Sequence, residues 1–260
     1  MSTFAGRSAI VTGAGRGIGA AVARMLAARG AQVGLVDLDT ANLENVRASI
    51  EDSGGTALAA TADLTVEDQV RDAIDRLAGG LGGLDALASF AGVVGYAAIP
   101  DTVAADWNRI MDTNARGAFL CAKHAIPHLR VRGGGSIVLT SSIMAFASEK
   151  AAGVYSASKA AVVALTNALA LDHAEEDIRV NALVPGVIRT ELLTDAALAL
   201  AEPGQDPAEL VESWGARQPI GRSIDPDEVA EVALFLLSGA ASAVTGSCYR
   251  VDGGLLSRLG

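Results

Sequence analysis

The feature that most narrows the fold of this 260-residue chain is the run Thr12-Gly-Ala-Gly-Arg-Gly-Ile-Gly19, set between a short β-branched segment, Ala9 to Val11, and a helical pattern from Ala20 to Arg29. Glycines at 13, 17 and 19 stand where a backbone must turn tightly, approach a pyrophosphate and let a helix pack on the strand before it. Gly30 stops the helix, and Gln32 to Val36 reads as a second strand ending in Asp37. A strand, glycine turn, helix and strand of this length form a βαβ unit, the size of a mononucleotide-binding half. The N-terminus of the helix offers N–H groups and partial positive charge to phosphates.

The same alternation runs on. Helices are expected at 40–52, 66–78, 106–132, 153–173 and 227–237, and strands at 56–61, 84–89, 136–140, 178–184 and 247–251. Residues 185–223 read as an irregular, proline-containing insertion, and no stretch reads as a linker or an internal repeat. The fold class is therefore α/β: one Rossmann-type domain over 1–260 with a doubly wound parallel sheet of seven strands. Its expected order is 3-2-1-4-5-6-7 with helices on both faces, and 186–223 forms a lid over the substrate. Apolar content of 50% with only 4% aromatics, and 29 glycines, suits parallel strands covered closely by helices.

A net charge of −10 argues against a nucleic-acid partner, because a phosphate backbone is neutralised by Lys and Arg. Cys121 and Cys248 have no Cys or His at ligand spacing, so neither a disulfide scaffold nor a metal site is expected. The chain enters its first strand without a basic and then apolar leader, and no run reads as a membrane span. A cytoplasmic protein is the expectation.

Chemistry is carried by two strand ends and one helix. Asp37, at the carboxyl end of the second strand, is placed to accept from an adenosine ribose and to repel a 2′-phosphate, which selects NAD over NADP. Arg16 in the glycine turn pulls the other way, but a carboxylate against a phosphate costs more than one exposed Arg recovers. Tyr155 and Lys159 lie four residues apart, one turn of helix, on the same face. A phenol titrates at about pH 10, and an ammonium beside it favours the phenolate, bringing Tyr155 toward proton exchange near neutrality. Ser141 and Ser142 end the fifth strand on the rim where open α/β sheets bind ligands, and a hydroxyl there polarises a carbonyl or simply caps the strand.

Together these residues resemble the short-chain dehydrogenases/reductases. The matching motifs are Thr12-Gly13-x3-Gly17-x-Gly19, Asp63-Leu64, Asn114, Ser142, Tyr155-x3-Lys159, Pro185-Gly186-x3-Thr190 and Thr245-Gly246 to Asp252-Gly253-Gly254, in the family's order from residue 12 to 254. The resemblance implies Tyr155 as acid/base, Lys159 lowering its pKa and bonding the nicotinamide ribose, Ser142 orienting the substrate oxygen, and Asn114 holding a water in a proton relay. It implies adenine contacts at Asp63 and Leu64, carboxamide contacts near Ile188 and Thr190, and a cofactor surface completed by Ile18, Leu38, Ala91 and Gly92. A homotetramer or homodimer is implied as well. One departure stands out: Ser89-Phe90-Ala91-Gly92 replaces the family's Asn-Asn-Ala-Gly, and Phe90 is expected to substitute for the missing amide by packing.

The expected reaction is the interconversion of a secondary alcohol, cyclic or hydrophobic, and a ketone with NAD. Met144, Leu192 and Trp214 are candidate substrate contacts. Trp107 is expected to pack the entry of its helix, and His124, His128 and His173 to be surface or satisfied residues without an acid partner. An NADP-dependent reductase of ketones or 3-oxoacyl thioesters is the rival enzyme. An NAD-binding protein without chemistry is the rival from another class, and it has no need of Ser142, Tyr155 and Lys159 together.

Overall fold

A computed structural model describes residues 4–258; Met1 to Thr3, the start of the segment read as lacking a leader, lie outside the described residues. The strands β1 (Ser8–Thr12), β2 (Gln32–Asp37), β3 (Thr56–Thr61), β4 (Ala86–Ser89), β5 (Gly135–Thr140), β6 (Ile178–Pro185) and β7 (Cys248–Val251) form one parallel sheet in the order 3-2-1-4-5-6-7, as expected. Val11 of β1 is in register with Leu35 of β2 on one side and Ala88 of β4 on the other. The crossovers leave β1 and β4 in opposite directions, which opens a crevice beyond their carboxyl ends.

Both faces of the sheet are covered, and the strand period of two divides the core. Ala9 and Val11 pack with α1 (Gly17–Ala28), α2 (Thr40–Asp52) and α9 (Pro226–Leu237), while Ile10 between them packs with α3 (Glu67–Gly80), α5 (Gly117–Val131) and α6 (Gly153–Asp172). Small side chains allow this close cover: Ala20, Ala21 and Ala23 of α1 and Ala122 and Ala125 of α5 are buried.

Three local expectations are corrected. The long helix over 106–132 is two helices, α4 (Ala104–Met111) and α5, joined by a π-helical turn at Asp112–Arg116 in which Gly117 N–H reaches back to Asp112 O. The insertion is not irregular: it holds α7 (Glu191–Leu200) and α8 (Pro207–Arg217). Their start signals were in the sequence, since Thr190 Oγ1 accepts from Leu193 N and Asp206 Oδ1 from Ala208 N, with Pro207 opening the second helix. Finally, α6 is long and apolar enough to cross a bilayer by length and composition. It lies instead against β5 and β6, burying Val162, Thr166 and Ala170.

Candidate active site

The glycine turn folds onto the end of β4. Gly13 and Gly17 have φ of +67° and +55°. A Cβ on Gly13 would stand 2.5 Å from Ala91 N, and one on Gly19 would stand 2.1 Å from Gly13 O. Helix α1 starts at Gly17 with no side-chain cap and no acid in its first turn, which leaves its leading N–H groups to a ligand. Beside it, Asp37 accepts from Gly15 N–H at 2.8 Å and from Asp39 N–H at 3.1 Å. Arg16 turns away from this carboxylate and pairs with Asp195 of α7 at 3.3 Å.

These residues wall a groove of about 920 Å³. Gly13, Arg16, Gly17, Ile18 and Gly19 form one bank, with Asp37 and Leu38 at one end. Asp63, Leu64, Ala91 and Gly92 line the other bank, and Thr190 and Leu192 reach over from the lid. The groove opens into a smaller cavity of about 180 Å³, and Ile18, Phe90, Gly92, Thr190 and Leu192 border both. Phe90 also packs against the core face formed by α1 and α9, so the ring fills the space at the junction.

The smaller cavity collects the expected chemistry. Ser142, Met144, Tyr155 and Lys159 line it, as do Pro185, Gly186, Ile188 and Trp214. Ser141 is separated from Ser142 by its partner: Ser141 Oγ donates to the Lys159 carbonyl at 2.8 Å, whereas Ser142 is held by Met144 N–H and stands beside the Tyr155 phenol. Lys159 Nζ donates to Thr140 O at 3.0 Å. Thr140 Oγ1, on the same wall, is buried with no hydrogen-bond partner among the described residues. A groove bounded by bare glycine backbone and a helix N-terminus, continuous with a cavity that holds an orphaned buried hydroxyl, fits an extended dinucleotide.

Asn114 alone of the four expected catalytic residues lines neither cavity. The π-helical turn buries it, its Oδ1 accepts from Val93 N at 2.8 Å, and its Nδ2 donates to Val93 O and to Ser158 Oγ, each at 2.9 Å. Both ends of its amide thus tie the loop after β4 to α6. A Cβ on Gly92 would lie 3.3 Å from both Asn114 Oδ1 and Lys159 Nζ, so this glycine is the window through which the pair meets the groove.

A family profile described as "Enoyl-(Acyl carrier protein) reductase" matches residues 13–256. The chain is 41% identical over 252 residues to cis-4-hydroxycyclohexanecarboxylate dehydrogenase of Sinomonas cyclohexanicum, covering 96% of this chain and 97% of that one. Among solved structures it superposes on a short-chain type dehydrogenase/reductase from Mycobacterium marinum at 37% identity and a TM-score of 0.90, covering 98% of each chain. The chain belongs to the short-chain dehydrogenases/reductases. This oxidoreductase is also close to levodione reductase, with a TM-score of 0.95, 30% identity and coverage of 98% of this chain and 100% of that one. Dehydrogenases of the family use nicotinamide cofactors.

Electrostatics in this dehydrogenase/reductase correct one expectation. Burial pushes the Tyr155 phenol above its ordinary range, and only the Ser142 hydroxyl beside it acts downward. Lys159, 4% exposed, is itself brought down to about 8 by burial. Its Nζ is 5.7 Å from the Tyr155 ring centroid and aimed at Thr140 O, so in the free enzyme the ammonium does not pull the phenol down. Spacing on a helix gave the pair but not its depth, and depth decides the sign.

Residues the sequence did not single out complete the smaller cavity. Tyr96 comes from the loop after Gly92, Glu149 from the loop between Ser142 and Tyr155, and Arg217 from the end of α8. Tyr96 was accessible to the rule that ligands sit beyond strand carboxyl ends; Glu149 and Arg217 carry no local signal. Trp107 is 45% exposed, against the expectation that it packs. Each histidine has a carboxylate partner supplied by folding or by the next turn: His124 with Glu67, His128 with Asp75 and His173 with Glu176.

Proposed function

We propose that the enzyme is an NAD-dependent dehydrogenase interconverting a small, mainly apolar secondary alcohol and its ketone. The observation that carries this reading is the position of Ser142 and Tyr155 on the wall of a mainly apolar cavity that adjoins the nucleotide groove. A nicotinamide cofactor, when bound, supplies the hydride acceptor. Ser142 Oγ donates to the substrate oxygen, and Tyr155 Oη takes the alcohol proton or returns it to the ketone. Lys159 holds the cofactor-facing wall at Thr140, and Asn114 acts as a positioning residue for the Gly92 window and α6. Asp37 favours NAD, since both its oxygens are held on the ribose end of the groove by backbone N–H groups and Arg16 is engaged elsewhere.

An engineered apolar cavity of about 150 Å³ holds benzene, so one of about 180 Å³ has room for a six-membered ring. The relatives named for a hydroxycyclohexane acid and for levodione support a cyclic alcohol. Residues 1–260 act as one domain whose segment 186–223 covers the substrate, with α7 latched to the glycine turn by Asp195 and Arg16. The exposed face of α6, with Ala160, Ala164, Ala168 and Leu171, supports assembly of copies into a homodimer or homotetramer in the cytoplasm.

The profile's description names an acyl-carrier reductase, and an NADP-dependent thioester reductase is therefore the second reading. A net charge of −10 disfavours docking of an acidic carrier. The test is oxidation of cyclohexanol and related cyclic alcohols with NAD and NADP by the wild type and Tyr155→Phe. Loss of a general acid/base is expected to lower kcat by about 10³-fold with the cofactor Kd within about twofold of wild type; ordinary turnover by Tyr155→Phe sinks the reading.

A further inference from the structure

Apart from the Ser142 and Tyr155 pair, the wall of the substrate cavity carries a second polar cluster from three separate segments. Arg217 ends α8, Glu149 lies in the loop before α6, and Tyr96 lies in the loop after β4. Arg217 Nη1 donates to Glu149 Oε1 at 3.1 Å, and this is the side chain's one ion pair or hydrogen bond among the described residues. A guanidinium has five N–H donors in a planar fork. The Nε and Nη2 edge of Arg217 is thus open, on a side chain 56% exposed. Tyr96 Oη likewise has no hydrogen bond among the described residues, although it stands close enough to Glu149 and Tyr155 to feel the charge of either.

Each of the three segments is anchored. Ala97 N donates to Ala151 O at 2.8 Å, joining the Tyr96 loop to the Glu149 loop. Gln218, next to Arg217, is buried and clamps Val187 from both sides, accepting from its N–H at 3.1 Å and donating to its carbonyl at 3.2 Å. The backbones that carry the cluster are therefore held in place, with the half-exposed Arg217 and Glu149 side chains joined by their ion pair. Its open groups are mostly donors: the guanidinium edge and a phenol. Lys159, the other cation on this wall, directs one of its three donors at Thr140 O.

We propose that this cluster is an anion subsite, in which Arg217, oriented by Glu149 and assisted by Tyr96, takes a carboxylate carried by the substrate. The substrate class is then a small cyclic hydroxy acid, with its carbinol at Ser142 and Tyr155 and its carboxylate on the Nε and Nη2 edge of Arg217. A planar carboxylate matches that edge with two parallel hydrogen bonds. Glu149 contributes by holding the fork in place and by neutralising it in the free enzyme, so an incoming carboxylate shares a guanidinium that is already oriented. This inference rests on the smaller cavity being the substrate site.

The test uses ligands that lack the hydroxyl and so need no turnover. With NAD present, calorimetry compares cyclohexanecarboxylate, cyclohexanecarboxamide and cyclohexylammonium on the wild type, Arg217→Gln and Tyr96→Phe. Wild type is expected to bind the carboxylate at least about tenfold more tightly than the amide, in line with a hydrogen bond to a charged group. Arg217→Gln is expected to erase that preference, and Tyr96→Phe to reduce it. In turnover, the ratio of kcat/KM for a hydroxycyclohexanecarboxylate over cyclohexanol is expected to fall about tenfold in Arg217→Gln, chiefly through KM. Equal binding of carboxylate and amide, tighter binding of the ammonium, or an unchanged ratio in Arg217→Gln overturns the subsite. Failure to oxidise any alcohol sinks the dehydrogenase reading instead, and leaves the binding comparison to decide the subsite on its own.

Discussion

Gly15 donates its backbone N–H to Asp37 Oδ2 at 2.8 Å, and a Cβ on Gly15 would stand 3.0 Å from that same oxygen. The glycine turn and the acid after β2 are thus one unit, and the carboxylate has a fixed direction into the groove. Asp37→Ala removes both the acceptor for a ribose hydroxyl and the repulsion of a 2′-phosphate. Its kcat/KM with NAD is expected to fall about tenfold or more, the worth of a charged hydrogen bond, while that with NADP rises. Steady-state kinetics with both cofactors check this, and an unchanged NAD to NADP ratio refutes the assignment. Arg16→Ala is expected to leave the ratio within about twofold, because its guanidinium is directed at Asp195.

Lys159 gives a pH signature in the cofactor-free protein. Its folded value of about 8 lies below the ordinary 10.5 of the unfolded chain. Between the two, the unfolded state binds more protons, so this lysine's contribution to stability rises with pH across that window and is lost as pH falls to 8. Keeping the ammonium buried at neutral pH costs about 3 kcal/mol relative to high pH. Lys159→Met is therefore expected to be inactive yet, relative to wild type, more favoured at pH 7 than at pH 10. Urea unfolding of both proteins at several pH values measures the difference; parallel curves refute the buried ammonium.

Gly13 and Gly92 are predicted to fail differently. A Cβ on Gly13 meets Ala91 backbone at 2.5 Å in a left-handed conformation, and neither group has room to retreat. Gly13→Ala is expected to lower Tm sharply or to prevent folding. At Gly92 the new methyl meets only the Asn114 amide oxygen and the Lys159 ammonium, both at 3.3 Å. Gly92→Ala is expected to fold with Tm within a few degrees and to lose about tenfold or more in kcat/KM, because a small misplacement of catalytic groups is enough for that. Thermal melts alongside kinetics separate the two outcomes.

What the sequence made legible follows from how each residue is carried. Ser142, Tyr155 and Lys159 sit on a strand end and one helix, so regular spacing already placed them together, and the seven-strand order followed from the alternation of elements. Tyr96, Glu149 and Arg217 were hidden, because two loops and the end of α8 bring them to one wall and Glu149 and Arg217 are 68 residues apart. The sign of the Tyr155 shift was hidden for another reason: it depends on burial, and spacing on a helix carries no information about depth. The π-helical turn at Asp112 to Arg116 was lost within a long helical pattern, since the chain is helical on both sides of it and no proline marks it.

Gln218 links the lid to the end of β6. Its buried side chain accepts from Val187 N and donates to Val187 O and to Arg222 O at 2.6 Å, and Gly186 is a glycine where a Cβ would meet Gln218 Oε1 at 2.5 Å. Gln218→Leu keeps the volume but leaves the Val187 N–H and the Arg222 carbonyl without this partner, while Val187 O keeps the Ile224 N–H. An unsatisfied buried group costs about 1 to 3 kcal/mol, so a fall in Tm of several degrees is expected. Because Gln218 directly follows α8, which carries Trp214 and Arg217 to the substrate wall, KM for the alcohol is expected to rise more than the cofactor Kd. Gln218→Glu, which would bury a carboxylate with one oxygen against the Arg222 and Val187 carbonyls, is expected to lower Tm further than Gln218→Leu. Equal effects on KM and on cofactor binding would show that Gln218 supports the whole sheet edge rather than the lid.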